Sequence, residues 1–322
     1  MSLLQSRYSV RSEPGGSLQN MRWIILIIWL VFSSRLWAGD ASFTAAAPLP
    51  APMHVRVMTW NLQWFPGGTP AASIDKQNAQ IEEVAEVLRN VNPDILFLQE
   101  VKSEAAVVEV LAAAGLQHTI HVMSHFKDGN SLLSGQQLTI SSRFLAVEAW
   151  QEPWKTSWAN APRGLVYARL RIPGMKQDLH SYGLHLKSNL GADPYLNTAK
   201  REDASEQLLA HIKTQTQESG SDAVVVAGDF NTSFEQQTVP SEKTLQGLLA
   251  VGFHWPFVGV PLEDRITIPG GGRYPDACFD HFFLKKLGTP TARVERGVCG
   301  SDHWPVILDL ATTVPVKSGR LH

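Results

Sequence analysis

The chain has 322 residues, of which 44% are hydrophobic and 18% are charged, and its formal net charge at pH 7 is −2. This composition is that of a globular protein with a sizeable core, and it excludes large-scale disorder. The near-neutral charge excludes a protein that binds polyanions through bulk positive charge, so any contact with nucleic acid should be local.

Residues 1–38 are predicted to form a leader that contains a secretory signal peptide. Met21-Arg22 precedes an apolar run of ten residues, Trp23 to Phe32, and Ala38 is a small residue at the expected cleavage position. The run is short for a bilayer span, and an anchored N-terminal helix is the alternative interpretation. Met21 is also an alternative translation start.

Cleavage after Ala38 predicts a periplasmic or secreted protein with no stable membrane insertion after processing. It would remove four arginines and one glutamate and leave a net charge near −5. No cysteine directly follows the leader for lipid attachment, and we expect a soluble monomer.

The remaining chain is predicted to hold one domain at residues 53–312, between a flexible Ala- and Pro-rich linker at 39–52 and a frayed tail at 313–322. Strand-like apolar runs lie at 55–60, 95–98, 119–123, 137–141, 144–150, 164–172, 179–186, 224–227, 279–284, 291–296 and 305–310. Helical patterns cover 74–90 after a Ser73 cap, 103–114 before Gly115, 196–217 and 242–251.

The order of these elements indicates a fold class. Between residues 118 and 186 the strand-like runs follow one another without a long helix, which predicts antiparallel meander pairing. Elsewhere helices are interspersed without strict alternation. The pattern therefore predicts an α+β or mixed α/β sandwich.

Cys278 and Cys299 are the two cysteines of the chain, and both belong to the exported part. Both flank apolar segments that could be neighbouring strands, so an oxidising compartment favours a disulfide between them. Two buried free thiols are the alternative.

Polar side chains stand next to five of the strand-like runs. The end of a strand holds a side chain in a fixed position, and several strand ends can direct carboxylates, amides and imidazoles at one point. Carboxylate and amide oxygens suit a hard cation such as Mg²⁺, and histidines beside it suit proton transfer in phosphate-ester hydrolysis. The clusters are Asn61, Gln99-Glu100, His185, Asp229 with Asn231, and Asp302-His303.

Glu100 is the strongest metal-ligand candidate, because an acid directly after four apolar strand residues needs a partner. An exposed strand-end acid is the alternative. Asn61 could share the cation or orient its water, although asparagine there is also a common turn residue.

Asp229 and Asn231 follow a valine-rich strand, and strand alternation would put both on one side. Gly228 would leave room for a ligand to approach the backbone, and a simple Gly-Asp turn is the alternative.

Two histidines complete the set of candidates. His303 stands beside an acid, and Asp280, which leads another strand, is a candidate orienting partner. His185 ends a strand, with Lys187 two residues on and expected on the same face. Either histidine could instead be a plain core or rim residue.

Taken in order, five segments resemble the motifs of the endonuclease/exonuclease/phosphatase superfamily, whose members include deoxyribonuclease I. The resemblance runs from about residue 53 to 311, and it is specific because all five segments occur in order. They are Thr59-Trp60-Asn61-Leu62-Gln63, Leu98-Gln99-Glu100, Gly183-Leu184-His185-Leu186-Lys187-Ser188, Gly228-Asp229-Phe230-Asn231 and Ser301-Asp302-His303-Trp304-Pro305-Val306.

The resemblance implies a four-layered sandwich of two face-to-face β-sheets covered by helices, with the site at one rim. It implies that Glu100, with Asn61 near it, holds Mg²⁺ or Mn²⁺, with Ca²⁺ as a further candidate, and that Asp302 assists. Asp229 and Asn231 would orient the attacking water and the phosphate.

The same resemblance implies that His303, steadied by Asp280, and His185 handle proton transfer and phosphate charge. Arg163 resembles a phosphate-contacting arginine of the nuclease branch. That branch gives the second histidine an acidic partner, and no residue of this sequence is identified as that partner.

The favoured hypothesis is an exported, divalent-metal-dependent phosphodiesterase, specifically a nuclease with nucleic acid as its partner. A phosphatase or a phospholipase C- or sphingomyelinase-like hydrolase is the second hypothesis, because Trp150, Trp154 and Trp158 could form a membrane-facing or base-stacking loop. Burial of these tryptophans against the sheet is the alternative. An inactive binding module on the same fold is the third, and none of the five motifs is broken as that would require.

Overall fold

The computed structural model describes residues 54–127, 133–191, 193–271 and 274–312. They form two β-sheets that pack face to face, with helices on both outer faces. The predicted four-layered sandwich is therefore confirmed. The predicted leader, linker and C-terminal tail lie outside the described residues.

The six-stranded sheet has the order β10-β11-β1-β2-β4-β3, and the five-stranded sheet has the order β5-β6-β7-β8-β9. The bounds are β1 His54–Phe65, β2 Ile95–Val101, β3 Thr119–Met123, β4 Gln137–Ser142, β5 Leu145–Pro153, β6 Gly164–Arg171, β7 Leu179–His185, β8 Val224–Asp229, β9 Asp280–Lys285, β10 Arg293–Val294 and β11 Val306–Ala311.

Four α-helices complete the described fold: α1 Ile74–Val91, α2 Glu104–Ala114, α3 Pro194–Ser219 and α4 Thr244–Ala250. The Ser73 hydroxyl accepts a hydrogen bond from the Lys76 N–H, as a helix cap does, and Gly115 ends α2 in the left-handed conformation. Both predicted helix boundaries are confirmed.

Alternating side chains of the strands create two cores. Val55 and Val57 of β1 point between the two sheets, whereas Met58 and Trp60 face α1 and α2. The helices α3 and α4 cover the outer face of the five-stranded sheet through residues such as Leu208.

The strands between residues 118 and 186 pair antiparallel, as predicted, but they do not form one continuous meander. β3 and β4 belong to the six-stranded sheet, and β5, β6 and β7 belong to the other. The chain crosses between the sheets after β4. Parallel pairing occurs between β1 and β2 and between β7 and β8, each across a helical connection.

The predicted disulfide is wrong, because Cys278 and Cys299 are both free thiols. Cys278 lies before β9 of the five-stranded sheet, and Cys299 lies between two strands of the six-stranded sheet. The apolar segments that they flank are therefore not neighbours. Cys278 is buried and Cys299 is exposed, so only the former fits the alternative of a buried thiol.

Among the helices of the described residues, none combines the length and the apolar character that a bilayer span requires. The predicted anchored helix lies outside these residues, as does the signal peptide.

Gly228 has a backbone φ of +143°, and a Cβ there would lie 2.1 Å from the Leu184 carbonyl oxygen of β7. The glycine therefore permits close approach of the neighbouring strand. The prediction was that it leaves room for a ligand.

We expect Gly228→Ala to lower the free energy of unfolding by at least about 2 kcal/mol, because it adds a backbone clash to an unfavourable φ. Gly252→Ala is the matched control: its φ is +87° and nothing lies within 4 Å of the new Cβ. It should cost about 1 kcal/mol. Urea denaturation measures both, and equal losses would contradict the role given to Leu184.

Candidate active site

The site lies at one edge of the sandwich, where β1, β2, β7 and β8 end and β9 begins. In the five-stranded sheet, His185 stands opposite Asp229, and Asp229 stands opposite Asp280. In the six-stranded sheet, Asn61 stands opposite Gln99, the residue before Glu100. Strand ends from both sheets therefore supply one cluster.

Glu100 occupies a bulge of β2. The pairing register shifts across this residue on both sides, and its φ is +62°. Such a bulge redirects a side chain, and a left-handed residue other than glycine is strained unless its surroundings hold it. Glu100 Oε2 accepts a hydrogen bond from the Trp64 N–H at 3.0 Å, and the side chain is 12% exposed. The alternative of an exposed acid does not hold.

Asn61 joins the two sheets through its side-chain amide. Its Nδ2 donates to Glu100 Oε1 at 3.3 Å and to Asp229 Oδ2 at 3.0 Å. Both carboxylates act as acceptors in these bonds, so the amide nitrogen is the atom that faces them. The Asn61 Oδ1 accepts from the Gln63 N–H at 3.0 Å and points away from the carboxylates.

Asp229 is 2% exposed and lies at the centre of the cluster. Its Oδ1 accepts from the Asn231 N–H at 2.8 Å. Burial, followed by the negative charge of Asp280, raises the pKa of Asp229 to about 7, although His303 and the hydrogen bonds from Asn231 and Asn61 oppose this shift.

Asn231 lies beyond the end of β8, so the strand alternation used to place it beside Asp229 does not apply. It has a φ of +53° and turns back, and its Nδ2 donates to the Leu186 carbonyl at 3.1 Å. The two residues are neighbours because of this turn, in which the Asp229 carboxylate holds the Asn231 N–H.

His303 and Asp280 form the predicted pair. Nδ1 of His303 lies 2.8 Å from Asp280 Oδ2, and both side chains are buried. Burial opposes the charged imidazolium, but Asp280, then Asp229 and Asp302, raise the pKa of His303 to about 10. The second oxygen of Asp280, Oδ1, is buried and has no hydrogen-bond partner among the described residues.

His185 is 3% exposed, and its Nε2 lies 3.5 Å from Asp229 Oδ2 and 3.8 Å from Glu100 Oε1. Both acids were already site candidates from the sequence, and neither is hydrogen-bonded to His185, so the acidic partner that the resemblance implies stays unassigned. Burial, then the positive charges of Arg163, His303 and Lys187, hold the pKa of His185 well below its ordinary value. Its Nδ1 is buried without a hydrogen-bond partner among the described residues.

Arg163 and Lys187 lie beside this histidine in different ways. Arg163 donates to the His185 and Leu186 carbonyls at 3.3 and 3.4 Å and to Gln136 Oε1 at 2.7 Å. Lys187 lies beyond the end of β7, so strand alternation does not place it on the face of His185. Its ammonium donates to the carbonyls of its own loop, at Ser188 and Leu190.

Asp302 stays at the exposed margin of the site. Its Oδ1 lies 3.4 Å from the hydroxyl of Ser301, and the residue lines an open cleft of about 430 Å³ together with Gln63 and Gly300. No direct contact between Asp302 and Glu100 or Asn61 is present among the described residues.

Gln80 and Ser301 support the site and were not assigned a part from the sequence. Gln80 is buried on α1, and its Nε2 donates to the Leu62 and Gly300 carbonyls, both at 2.7 Å. The Ser301 hydroxyl donates to the Asn61 carbonyl at 2.7 Å. Gln80 could have been found from the sequence, because a glutamine on the apolar face of an amphipathic helix is unusual.

The donor set fits a divalent cation. Glu100, Asp229 and Asp280 supply carboxylate oxygens, and one oxygen of Asp280 has no partner among the described residues. Ligand atoms of Asp229, Asp280 and His303 lie within 4.8 Å of one another. The raised pKa of His303 favours the charged imidazolium, which offers a metal no free lone pair, so the carboxylates are the better ligand candidates.

The model of the Endonuclease/Exonuclease/phosphatase family matches residues 58–303. The chain belongs to this family. Its members are hydrolases that act on phosphate esters. No curated protein matches the chain in sequence.

Solved structures of this family resemble the fold. An endonuclease/exonuclease/phosphatase family protein from Bacteroides thetaiotaomicron is 15% identical, with 82% of this chain and 99% of that chain covered and a TM-score of 0.61. Truncated TDP2 from Caenorhabditis elegans is 18% identical, with 80% and 98% covered and a TM-score of 0.56. TDP2 from D. rerio, complexed with a single-strand DNA product, is 20% identical, with 80% and 99% covered and a TM-score of 0.55. At these identities the likeness shows the fold alone.

We expect Asp280→Asn to lower the pKa of His303 from about 10 towards or below the ordinary imidazole value of about 6.5, because burial then acts with less opposition. NMR titration of the His303 ring in chelator-treated protein measures this change. Asp302→Asn is the control and should lower the pKa less, since Asp302 is exposed. An unchanged His303 pKa in Asp280→Asn would contradict the assigned pair.

Proposed function

We propose that this family member is an exported, divalent-metal-dependent phosphodiesterase that hydrolyses nucleic acid. The observation that carries the proposal is the convergence of Asn61 and Glu100 from one sheet with His185, Asp229 and Asp280 from the other. An inactive binding module would not need this combination of buried acids and histidines at one edge.

Glu100 is the proposed principal metal ligand, and Asp302 would contribute from the exposed side of the site. Mg²⁺ is the expected ion, and Mn²⁺ or Ca²⁺ could replace it. The ion would offset negative charge that develops on the phosphate oxygens. Asn61 is proposed to position the Glu100 and Asp229 carboxylates, because its amide nitrogen faces both.

Asp229 and His303 are proposed to act together on the attacking water. Their functional atoms lie close to each other and to Asp280. An Asp229 oxygen would accept the proton of the water, and the His303 imidazolium beside it would orient the water and the phosphate. Asn231, fixed to Asp229 through its backbone N–H, would contact the same phosphate.

His185 is proposed to stabilise the phosphate on the other side of the carboxylates. As a neutral imidazole with its proton on Nε2, the ring nitrogen on the side of the carboxylates, His185 would donate a hydrogen bond to a phosphate oxygen there. Arg163 and Lys187 lie in the adjoining segments and would supply positive charge to substrate phosphates.

Nucleic acid is the proposed substrate because exposed aromatic residues lie at the same edge. The β5–β6 loop lies next to the end of β7, since Val166 of β6 pairs with Gly183. In that loop Trp158 is 83% exposed, and Tyr195 at the start of α3 is 72% exposed. Flat aromatic faces stack on bases without sequence preference. The product-bound D. rerio structure supports this choice.

Export rests on the sequence of residues 1–38, which contains the signal-peptide pattern with Ala38 at its end. The proposed location is the periplasm or the exterior of the cell, and the proposed state is a monomer.

Glu100→Ala should abolish metal-dependent cleavage of plasmid DNA and RNA, because it removes the principal carboxylate ligand. We expect a loss of at least about 10²-fold in rate, and EDTA should have the same effect on the wild type. Glu109→Ala, which changes an exposed acid on α2, is the control and should cleave normally. Cleavage by wild-type protein in the presence of EDTA would refute the metal-dependent mechanism.

A lipid or small phosphate ester is the second candidate substrate, because Leu190 is also exposed near the site, at 66%. Trp150 and Trp154 pack against the core, so of the three regularly spaced tryptophans Trp158 is the one that offers a large exposed face.

The double variant Trp158→Ala with Tyr195→Ala separates the two substrates. If bases stack there, KM for single-stranded DNA should rise about 10-fold or more while hydrolysis of bis(4-nitrophenyl) phosphate is unchanged. Wild-type protein should not sediment with phosphatidylcholine or sphingomyelin vesicles. Vesicle binding that the double variant loses would favour the lipid substrate instead.

A further inference from the structure

A fully buried ion pair lies outside the catalytic cluster, between Arg201 of α3 and Glu242, which precedes α4. Both side chains are 0% exposed. Arg201 Nε donates to Glu242 Oε1 at 2.8 Å, and Nη2 donates to Oε2 at 2.7 Å. Burying two charges is costly, and apolar residues of the same volume often pack at least as stably. Stability alone therefore explains this pair poorly.

The remaining donors of Arg201 show what the pair holds. Its Nη1 donates to the Lys187 carbonyl at 3.0 Å and to Asn189 Oδ1 at 2.9 Å, and its Nη2 also donates to Thr198 Oγ1 at 3.3 Å. All five N–H groups of the guanidinium therefore have acceptors. The two N–H groups of Nη1 hold the loop that follows β7, which contains Lys187 and Asn189.

Asn189 continues the connection into the site. Its Nδ2 donates to the Asn231 carbonyl at 3.2 Å. Asn231 in turn donates through Nδ2 to the Leu186 carbonyl and through its backbone N–H to Asp229. An unbroken series of hydrogen bonds runs from the buried pair to the segment that carries two proposed catalytic residues.

We propose that Arg201 and Glu242 are positioning residues, which act through Asn189 to fix Asn231 and the loop carrying Lys187. The inference rests on the proposed phosphodiester hydrolysis, because Asn231 and Lys187 are expected to contact the phosphate. Glu242 holds the guanidinium in one orientation, with Thr244 Oγ1 donating to its Oε1 at 2.7 Å. Neither member of the pair touches the reacting atoms.

A planar guanidinium is required for this arrangement. It directs one edge at the Glu242 carboxylate while its Nη1 reaches two acceptors in the loop. A lysine has three donors around one nitrogen and cannot keep both sets of contacts. Arg201→Lys should therefore release the loop even though the positive charge is kept.

The test measures kcat and KM for bis(4-nitrophenyl) phosphate and for a DNA oligonucleotide at saturating Mg²⁺. Asn189→Ala and Arg201→Lys should each lower kcat about 10- to 100-fold, because small displacements of positioning groups cost this much, with KM nearly unchanged. The double variant should be no slower than the slower single variant, because both changes interrupt the same connection.

Thr244→Val is the matched control. It removes one hydrogen bond to Glu242 but leaves the contacts of Arg201 with the loop, so it should lower the urea midpoint and leave kcat within about twofold of wild type. Asn189→Ala leaves one Nη1 N–H of the buried Arg201 without its acceptor, so it should lower the urea midpoint about as much as Thr244→Val does, and a loss of kcat in Asn189→Ala alone is then not an effect of stability.

Hydrogen exchange provides a readout that does not depend on activity. In Asn189→Ala, amides of residues 186–191 and 229–232 should exchange faster together, while those of 205–217 in α3 stay protected. Wild-type kcat in Asn189→Ala, additive losses in the double variant, or unchanged exchange would each overturn the inference. If wild-type protein hydrolyses no phosphodiester, the proposed function fails, and the exchange experiment still tests the connection.

Discussion

The candidate site depends on holding several carboxylates close together in a buried place. Glu100 and Asp229 come from different sheets, and the Asn61 amide donates to both. Like charges at such separations repel strongly when water is excluded, so each needs donors or a cation nearby. Asn61, the His303 imidazolium and the backbone N–H groups of Trp64 and Asn231 partly meet this need, and the proposed divalent ion would offset the remaining negative charge.

The sandwich makes this concentration of charge tolerable because the sheets themselves are apolar at their interface. Val55 and Val57 and their counterparts on the other sheet form an apolar core between the sheets. Stability is therefore supplied by burial in the interior, and the edge can carry the strained backbone at Glu100 and Asn231. In such a fold the core supplies the stability, and the residues at the edge can be specialised for chemistry.

Most elements and most of the cluster could be predicted from the sequence, because apolar periodicity and polar strand ends are local signals, although the predicted ligand Asp302 lies at the exposed margin. The predictions that failed concern residues beyond the ends of the strands, where the local sequence pattern no longer applies. Strand alternation did not extend to Asn231 or Lys187, since β8 and β7 end two residues earlier. The two cysteines looked like neighbours because their strands are close in sequence, yet the strands belong to different sheets. The bulge that turns Glu100 inwards depends on pairing with both β1 and β4, which no local pattern encodes.

The two parallel pairs have a further consequence. Parallel neighbours must be joined by a crossover, and here α1 joins β1 to β2 while α3 joins β7 to β8. These same helices carry Gln80 and Arg201, whose side chains donate to backbone carbonyls around the site, at Leu62, Gly300 and Lys187. Connections at the far end of the sandwich, such as the turn at Gly174 between β6 and β7, lie away from these loops. Inserted peptides, affinity tags or fused domains are therefore best accommodated at that far end, where a change in chain length leaves the working rim undisturbed.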